Sequence, residues 1–120
     1  MKHVIYVDAG YKEGVGGQIS WFNKTSGKTF YEKRDCKDSF RCEYEAVLQA
    51  LKDHEQLIQD NEIEILMDNE TVAKQLNKKY AINSEDSRQM ALKIWSMSEK
   101  NVRFLWIPRE DNKAGKILGS

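Results

Sequence analysis

The sequence predicts an α/β fold: a five-stranded mixed sheet in the order β-β-β-α-β-α-α-β, flanked by helices, with residues 1–120 forming one domain. Three observations predict it. Short segments rich in β-branched and aromatic residues, separated by turn clusters, fill the first third of the chain. From Arg41 the apolar spacing changes to i, i+3, i+4, i+7. Beyond that helix, strand-like and helix-like segments alternate, as they do when helices cross between strands of one sheet.

His3 to Asp8 reads as the first strand, an apolar run ending on a carboxylate. Tyr11 to Gly14 reads as a turn, Val15 to Phe22 as the second strand, and Asn23 to Gly27 as another turn. Lys28 to Lys33 completes an antiparallel meander, and Arg34 to Ser39 is a polar loop. Tyr44, Val47, Leu48 and Leu51 define one face of a helix from Arg41 to about Gln56. Ile63 to Met67 is a short strand leading to Asp68, and Asn69 to Tyr80 is helical, with Val72, Ala73 and Leu76 on one side. Ser84 or Asp86 caps a helix running to Glu99, buried along Met90, Ala91, Ile94 and Met97. Val102 to Ile107 is the last strand, stopped by Pro108. Asn112 to Ser120 begins a helix with room for only about two turns, so a truncated final helix is expected.

Composition narrows the function classes. Lys plus Arg and Asp plus Glu each number 19, so net charge points to neither a nucleic-acid nor an anionic-membrane partner. The first apolar run, Val4 to Val7, is far shorter than a signal core or a membrane span, which predicts a cytoplasmic protein with no membrane partner. Cys36 and Cys42 have no second pair and no nearby His, and are expected to be reduced, structural thiols. The charge is nonetheless segregated: residues 1–42 carry net +3, 43–70 net −8 and 71–120 net +5. Solvated helix faces fit that pattern, as does an acidic cation site inside a basic rim, and composition does not choose between them.

The carboxylates carry more information. Asp8 and Asp68 each close an apolar strand, and parallel neighbours would bring both to the carboxyl edge of the sheet, where ligands of open α/β sheets bind. Glu43 lies i−3 and i−4 from Ala46 and Val47, so it projects from the core-facing side of the helix's first turn. Glu45, about 200° around the helix, is expected to face solvent. Either acid at a strand end alone is an ordinary turn or cap residue. Three converging acids repel one another unless a cation is present, and hard oxygen ligands suit Mg²⁺ or Mn²⁺. Trp95 and Trp106 are expected to pack in the core, although stacking on nucleic-acid bases is the alternative for them and for Trp21.

Tyr6-Val-Asp-Ala-Gly10, Cys42-Glu-Tyr-Glu-Ala-Val-Leu-Gln-Ala-Leu51 and Ile63-Glu-Ile-Leu-Met-Asp-Asn-Glu70 resemble, in order, the first three motifs of the ribonuclease H family. Trp106-Ile-Pro-Arg-Glu-Asp-Asn-Lys113 resembles the segment leading to the fourth. The resemblance implies a ribonuclease H-like fold and a magnesium-dependent endonuclease, with Mn²⁺ as a possible substitute, cutting the RNA strand of an RNA–DNA hybrid. It implies Asp8, Glu43 and Asp68 as catalytic, metal-binding carboxylates, and Gly10, Ser39, Asn69 and Lys116 as substrate-binding positions. Gly10 matches a small residue that lets the backbone approach the substrate.

The same resemblance exposes departures. The family pattern after Pro-Arg-Glu runs Asn, two residues, Ala, then Asp; here Asn112 is followed by Lys113, Ala114, Gly115 and Lys116. The fourth carboxylate is thus expected to be replaced by Lys116. Ser39 and Phe40 stand where asparagines are often found, and no His precedes the last helix. The alternative function is therefore a catalytically impaired module of the same fold that binds nucleic acid or a protein.

Overall fold

The computed structural model describes residues 1–98 and 100–118. Five strands, β1 (Lys2–Lys12), β2 (Gly16–Asn23), β3 (Thr29–Arg34), β4 (Glu62–Met67) and β5 (Val102–Trp106), form one mixed sheet in the order β3-β2-β1-β4-β5. The first three pair antiparallel, while β1–β4 and β4–β5 are parallel. The helices are α1 (Ser39–Asp53), α2 (Glu55–Ile58), α3 (Glu70–Leu76), α4 (Glu85–Met97) and α5 (Lys113–Ile117), the last preceded by a 3₁₀ turn at Arg109–Asp111. The expected α/β architecture with a five-stranded mixed sheet and flanking helices is present. Its last helix is brief, and Gly119 and Ser120, like Glu99, lie outside the described residues.

Alternation along the strands builds the core. Ile5, Val7, Ile19, Trp21, Ile63, Ile65, Met67 and Phe104 join Tyr44, Val47 and Leu51 of α1 and Met90, Ala91 and Ile94 of α4 in one buried cluster. On the opposite face α5 rests on β1 and β2, where Ser20 donates its hydroxyl to the Ala114 carbonyl at 3.0 Å.

Several boundaries differ from expectation for identifiable reasons. β1 continues past Asp8 to Lys12, because β2 keeps pairing with it up to Lys12↔Gly16. The ladder to β4 stops at Tyr6↔Leu66, so Asp8 still lies beyond the parallel part of the sheet. The first helix breaks at His54, whose φ of −115° and ψ of 18° end α1 before the short α2 begins. α3 stops at Leu76, well short of Tyr80: Asn77 caps it, and Lys78 takes a left-handed φ of 61°. Asn77 is held there by donating its amide to the Phe104 carbonyl at 2.8 Å.

The expectation of two free thiols is overturned. Cys36, just after β3, and Cys42, in the first turn of α1, form a disulfide with their Cα atoms 5.6 Å apart. Space for it exists because Gly17 faces it from β2; a β-carbon there would clash with both sulfurs. Trp106 is also not a core residue: it is 48% exposed, and its indole N–H donates to the Asp68 carbonyl at 3.1 Å. Trp95 is half-buried against the core, as expected. No helix among the described residues is long and apolar enough to cross a membrane.

Candidate metal centre

Three elements deliver one carboxylate each to a single point. Asp8 comes from β1 past the end of its parallel ladder, Asp68 follows β4, and Glu43 projects from the first turn of α1. One oxygen from each lies within 4.8 Å of the others. The N-cap of α1 fixes the third arm, since the Asp38 carboxylate accepts from the Arg41 amide at 2.8 Å. The disulfide through Cys42 pins the residue immediately before Glu43.

The electrostatics of this cluster are unfavourable on their own. Burial, then the neighbouring Asp68, raises the Asp8 carboxyl to about 6, opposed by a hydrogen bond from the Ala9 amide and by the Arg109 guanidinium. Glu43 is 7% exposed, and burial followed by Asp8 and Asp68 pushes it well above the usual carboxylate range. Its Oε2 is buried without a hydrogen-bond partner among the described residues. A buried carboxylate oxygen without a partner costs about 1–3 kcal/mol or more, unless a ligand supplies what the protein does not. The donor set is all oxygen and the charge all negative, so the residues present fit a hard divalent cation.

Two residues absent from the sequence-based candidates complete the site. Asn112 is buried; its amide nitrogen donates to Asp68 Oδ2 at 3.0 Å and to the Val7 carbonyl at 2.8 Å, while its oxygen accepts from the Ala114 amide and caps α5. Arg109 lies close enough to oppose the upward shifts of both Asp8 and Glu43. The signal for both was the Pro108-Arg-Glu-Asp-Asn112 run, which gives no hint that a 3₁₀ turn folds it back over β1. A cleft of about 320 Å³ opens beside the cluster, lined by Asp8, Arg109, Glu110, Asn112, Gly115 and Lys116.

The other sequence candidates are spread around this centre. Lys116 lines the cleft on α5. Asn69 follows Asp68 directly, but its side-chain oxygen is engaged in capping α3 through the Val72 amide at 3.1 Å. Gly10 lies on β1 two residues past Asp8, where a β-carbon would press on the Gln18 side chain at 3.2 Å. Ser39 is the exposed first residue of α1, one turn before Glu43. Glu45 does not face solvent as expected: it is half-buried and pairs with Arg34 at 3.2 Å and Arg41 at 3.5 Å, because β3 and its following loop cover that side of α1.

Comparison with known proteins bears on the family and the fold. The sequence profile of the reverse transcriptase-like family matches residues 24–119. LC11-RNase H1, isolated from compost by a metagenomic approach, superposes with a TM-score of 0.84 at 26% identity, covering 97% of this chain and 91% of that one. A second structure of LC11-RNase H1, in complex with an RNA/DNA hybrid, gives a TM-score of 0.85 at 24% identity over 95% and 91% of the two chains. RNase H1 from the halophilic archaeon Halobacterium salinarum gives 0.83 at 18% identity over 99% and 98%. Comparison with curated proteins by sequence gives no match.

Proposed function

Because the chain belongs to the reverse transcriptase-like family and has the ribonuclease H-like fold, we propose that it is a metal-dependent endoribonuclease hydrolysing the RNA strand of RNA–DNA hybrids. The observation that carries the proposal is the convergence of Asp8, Glu43 and Asp68 within 4.8 Å, with a buried Glu43 oxygen left for a ligand to satisfy. A divalent ion bound there, Mg²⁺ or Mn²⁺, supplies the positive charge that a phosphoryl transfer needs at its oxygens. The hybrid seen on LC11-RNase H1 supports a nucleic-acid substrate for this chain too.

The chain's own residues have distinct parts in this reading. Asp8, Glu43 and Asp68 hold the ion, and Asn112 fixes the orientation of Asp68 through Oδ2. Arg109 places a positive charge beside the cluster, where a substrate phosphate must come. Gly10 keeps the backbone past Asp8 free of a β-carbon, and discrimination of RNA from DNA falls to contacts with the 2′-hydroxyl. Attack of water on phosphorus with loss of the 3′-oxygen leaves a 5′-phosphate and a 3′-hydroxyl.

Lys116 in the cleft favours a second reading, a catalytically impaired module that binds nucleic acid or a protein. Incubation with a strand-labelled hybrid in Mg²⁺ and in Mn²⁺, beside Asp8→Asn, separates the two. Cleavage confined to the RNA strand and lost in the variant is the expected result. Intact hybrid with folded protein in both metals selects the module.

A further inference from the structure

The cleft on the α5 side of the carboxylates has a composition that the cluster itself lacks. Of its six lining residues, Arg109 and Lys116 are cations, Gly115 has no side chain, and Asn112 is largely engaged. Both hydrogens of the Asn112 amide are committed to Val7 and Asp68, and its oxygen to Ala114. Apart from Asp8, the only acid on these walls is Glu110, which is exposed and lies outside the group of oxygens that converge.

A second divalent ion placed in this cleft would therefore share Asp8, find at most the remaining lone pair of Asn112 among the neutral lining side chains, and sit beside the cationic side chains of Arg109 and Lys116. Like charges brought close together in a partly buried cleft repel strongly. A phosphate oxygen in the same place meets the opposite situation. The placement of Lys116 there is held by tertiary contacts. Asn112 ties the start of α5 to Asp68 and Val7, and Ser20 holds the Ala114 carbonyl, so the turn carrying Lys116 is registered against the carboxylates.

We propose that this chain holds one divalent ion and not two, and that the Lys116 ammonium takes the second cation's place by seating a phosphate of the nucleic-acid backbone. The inference rests on Asp8, Glu43 and Asp68 being the metal site. Lys116 is exposed on α5, so its substitution leaves the core untouched.

Mn²⁺ bound per chain, counted by the paramagnetic resonance of the free ion, tests the first half. One ion is expected for the natural sequence and for Lys116→Arg, and two for Lys116→Asp. Hybrid binding in chelator tests the second half. Lys116→Ala is expected to weaken it about 3- to 10-fold and to reduce the salt dependence by about one phosphate contact, with Lys116→Arg retaining both. Two ions on the natural sequence, or unchanged hybrid binding by Lys116→Ala, overturns the inference and leaves the function proposed above standing. No Mn²⁺ on the natural sequence, with Asp8→Asn behaving identically, overturns both.

Discussion

With little water around it and Asp68 beside it, the Asp8 carboxyl holds its proton up to about pH 6, and burial likewise raises Glu43 well above the usual carboxylate range. A carboxyl raised in the folded state favours folding fully below its unfolded value, near 4, and that contribution is lost as pH rises through about 6. For Asp8 the loss amounts to about 3 kcal/mol. Asp8→Asn removes it and keeps an oxygen to accept from the Ala9 amide. Thermal melts in chelator at pH 7.5 are therefore expected to show Asp8→Asn more stable by up to roughly 10 °C, the gap closing near pH 4. Equal stability at pH 7.5 would mean that the carboxylates are not in conflict. At this scale the three acids were legible because strand ends and helical phase place side chains by simple periodicity. Glu45 was misread because its partners, Arg34 and Arg41, depend on how β3 and its loop lie against α1. Arg109 and Asn112 were missed because their role arises from a return over β1 about a hundred residues away in sequence.

Among the elements, α1 is the arm that matters most to the site, and it is tethered at its first turn. The Cys36–Cys42 bridge closes a short loop between β3 and α1, and closure of a loop this size restricts the unfolded chain by about 2 kcal/mol. Cys36→Ser with Cys42→Ser is expected to lower the unfolding free energy by that amount, read as a lower denaturant midpoint, and to weaken Mn²⁺ binding, because Glu43 follows Cys42 directly. Unchanged midpoint and affinity would remove the tether from the account. The sequence located every strand and the three longer helices, since turn clusters and the change of apolar period are local signals. It did not show the ends of α1 and α3. Those are decided by His54 reaching into a buried polar network and by Asn77 reaching the Phe104 carbonyl, contacts with no local pattern. The bridge was equally hidden, because it needs the absent β-carbon of Gly17 on a different strand.

Across the whole molecule, the carboxylate cluster has a counterpart elsewhere in the fold, with the opposite pH response. Asn23 is buried between His3 and His54, its amide nitrogen 3.3 Å from His3 Nδ1 and 3.1 Å from His54 Nε2. Its oxygen is already taken by the Thr25 and Ser26 amides, so the nitrogen must face both rings, and both facing ring atoms must accept. His54 Nδ1 then carries the hydrogen given to the Ala50 carbonyl at 2.7 Å, and the ring is neutral. Burial lowers the His54 pKa despite that hydrogen bond and Asp53, with His3 and Lys28 adding to the lowering. A histidine lowered in the fold contributes stability above its unfolded value of 6.5 that is lost as pH falls. The two centres therefore trade places: rising pH charges the acid cluster and relaxes the histidine network. A divalent ion reverses only the first, because it binds the charged cluster. Mn²⁺ is accordingly expected to raise the melting temperature by several degrees at pH 7.5 and by little at pH 5, where Asp8 is mostly protonated. In His54→Gln the decline in stability between pH 7 and pH 5 becomes shallower while the Mn²⁺ effect at pH 7.5 persists. Loss of the Mn²⁺ effect in His54→Gln would show that the two centres are coupled through the sheet and not independent, whereas its loss in Asp8→Asn alone places metal binding at the carboxylates.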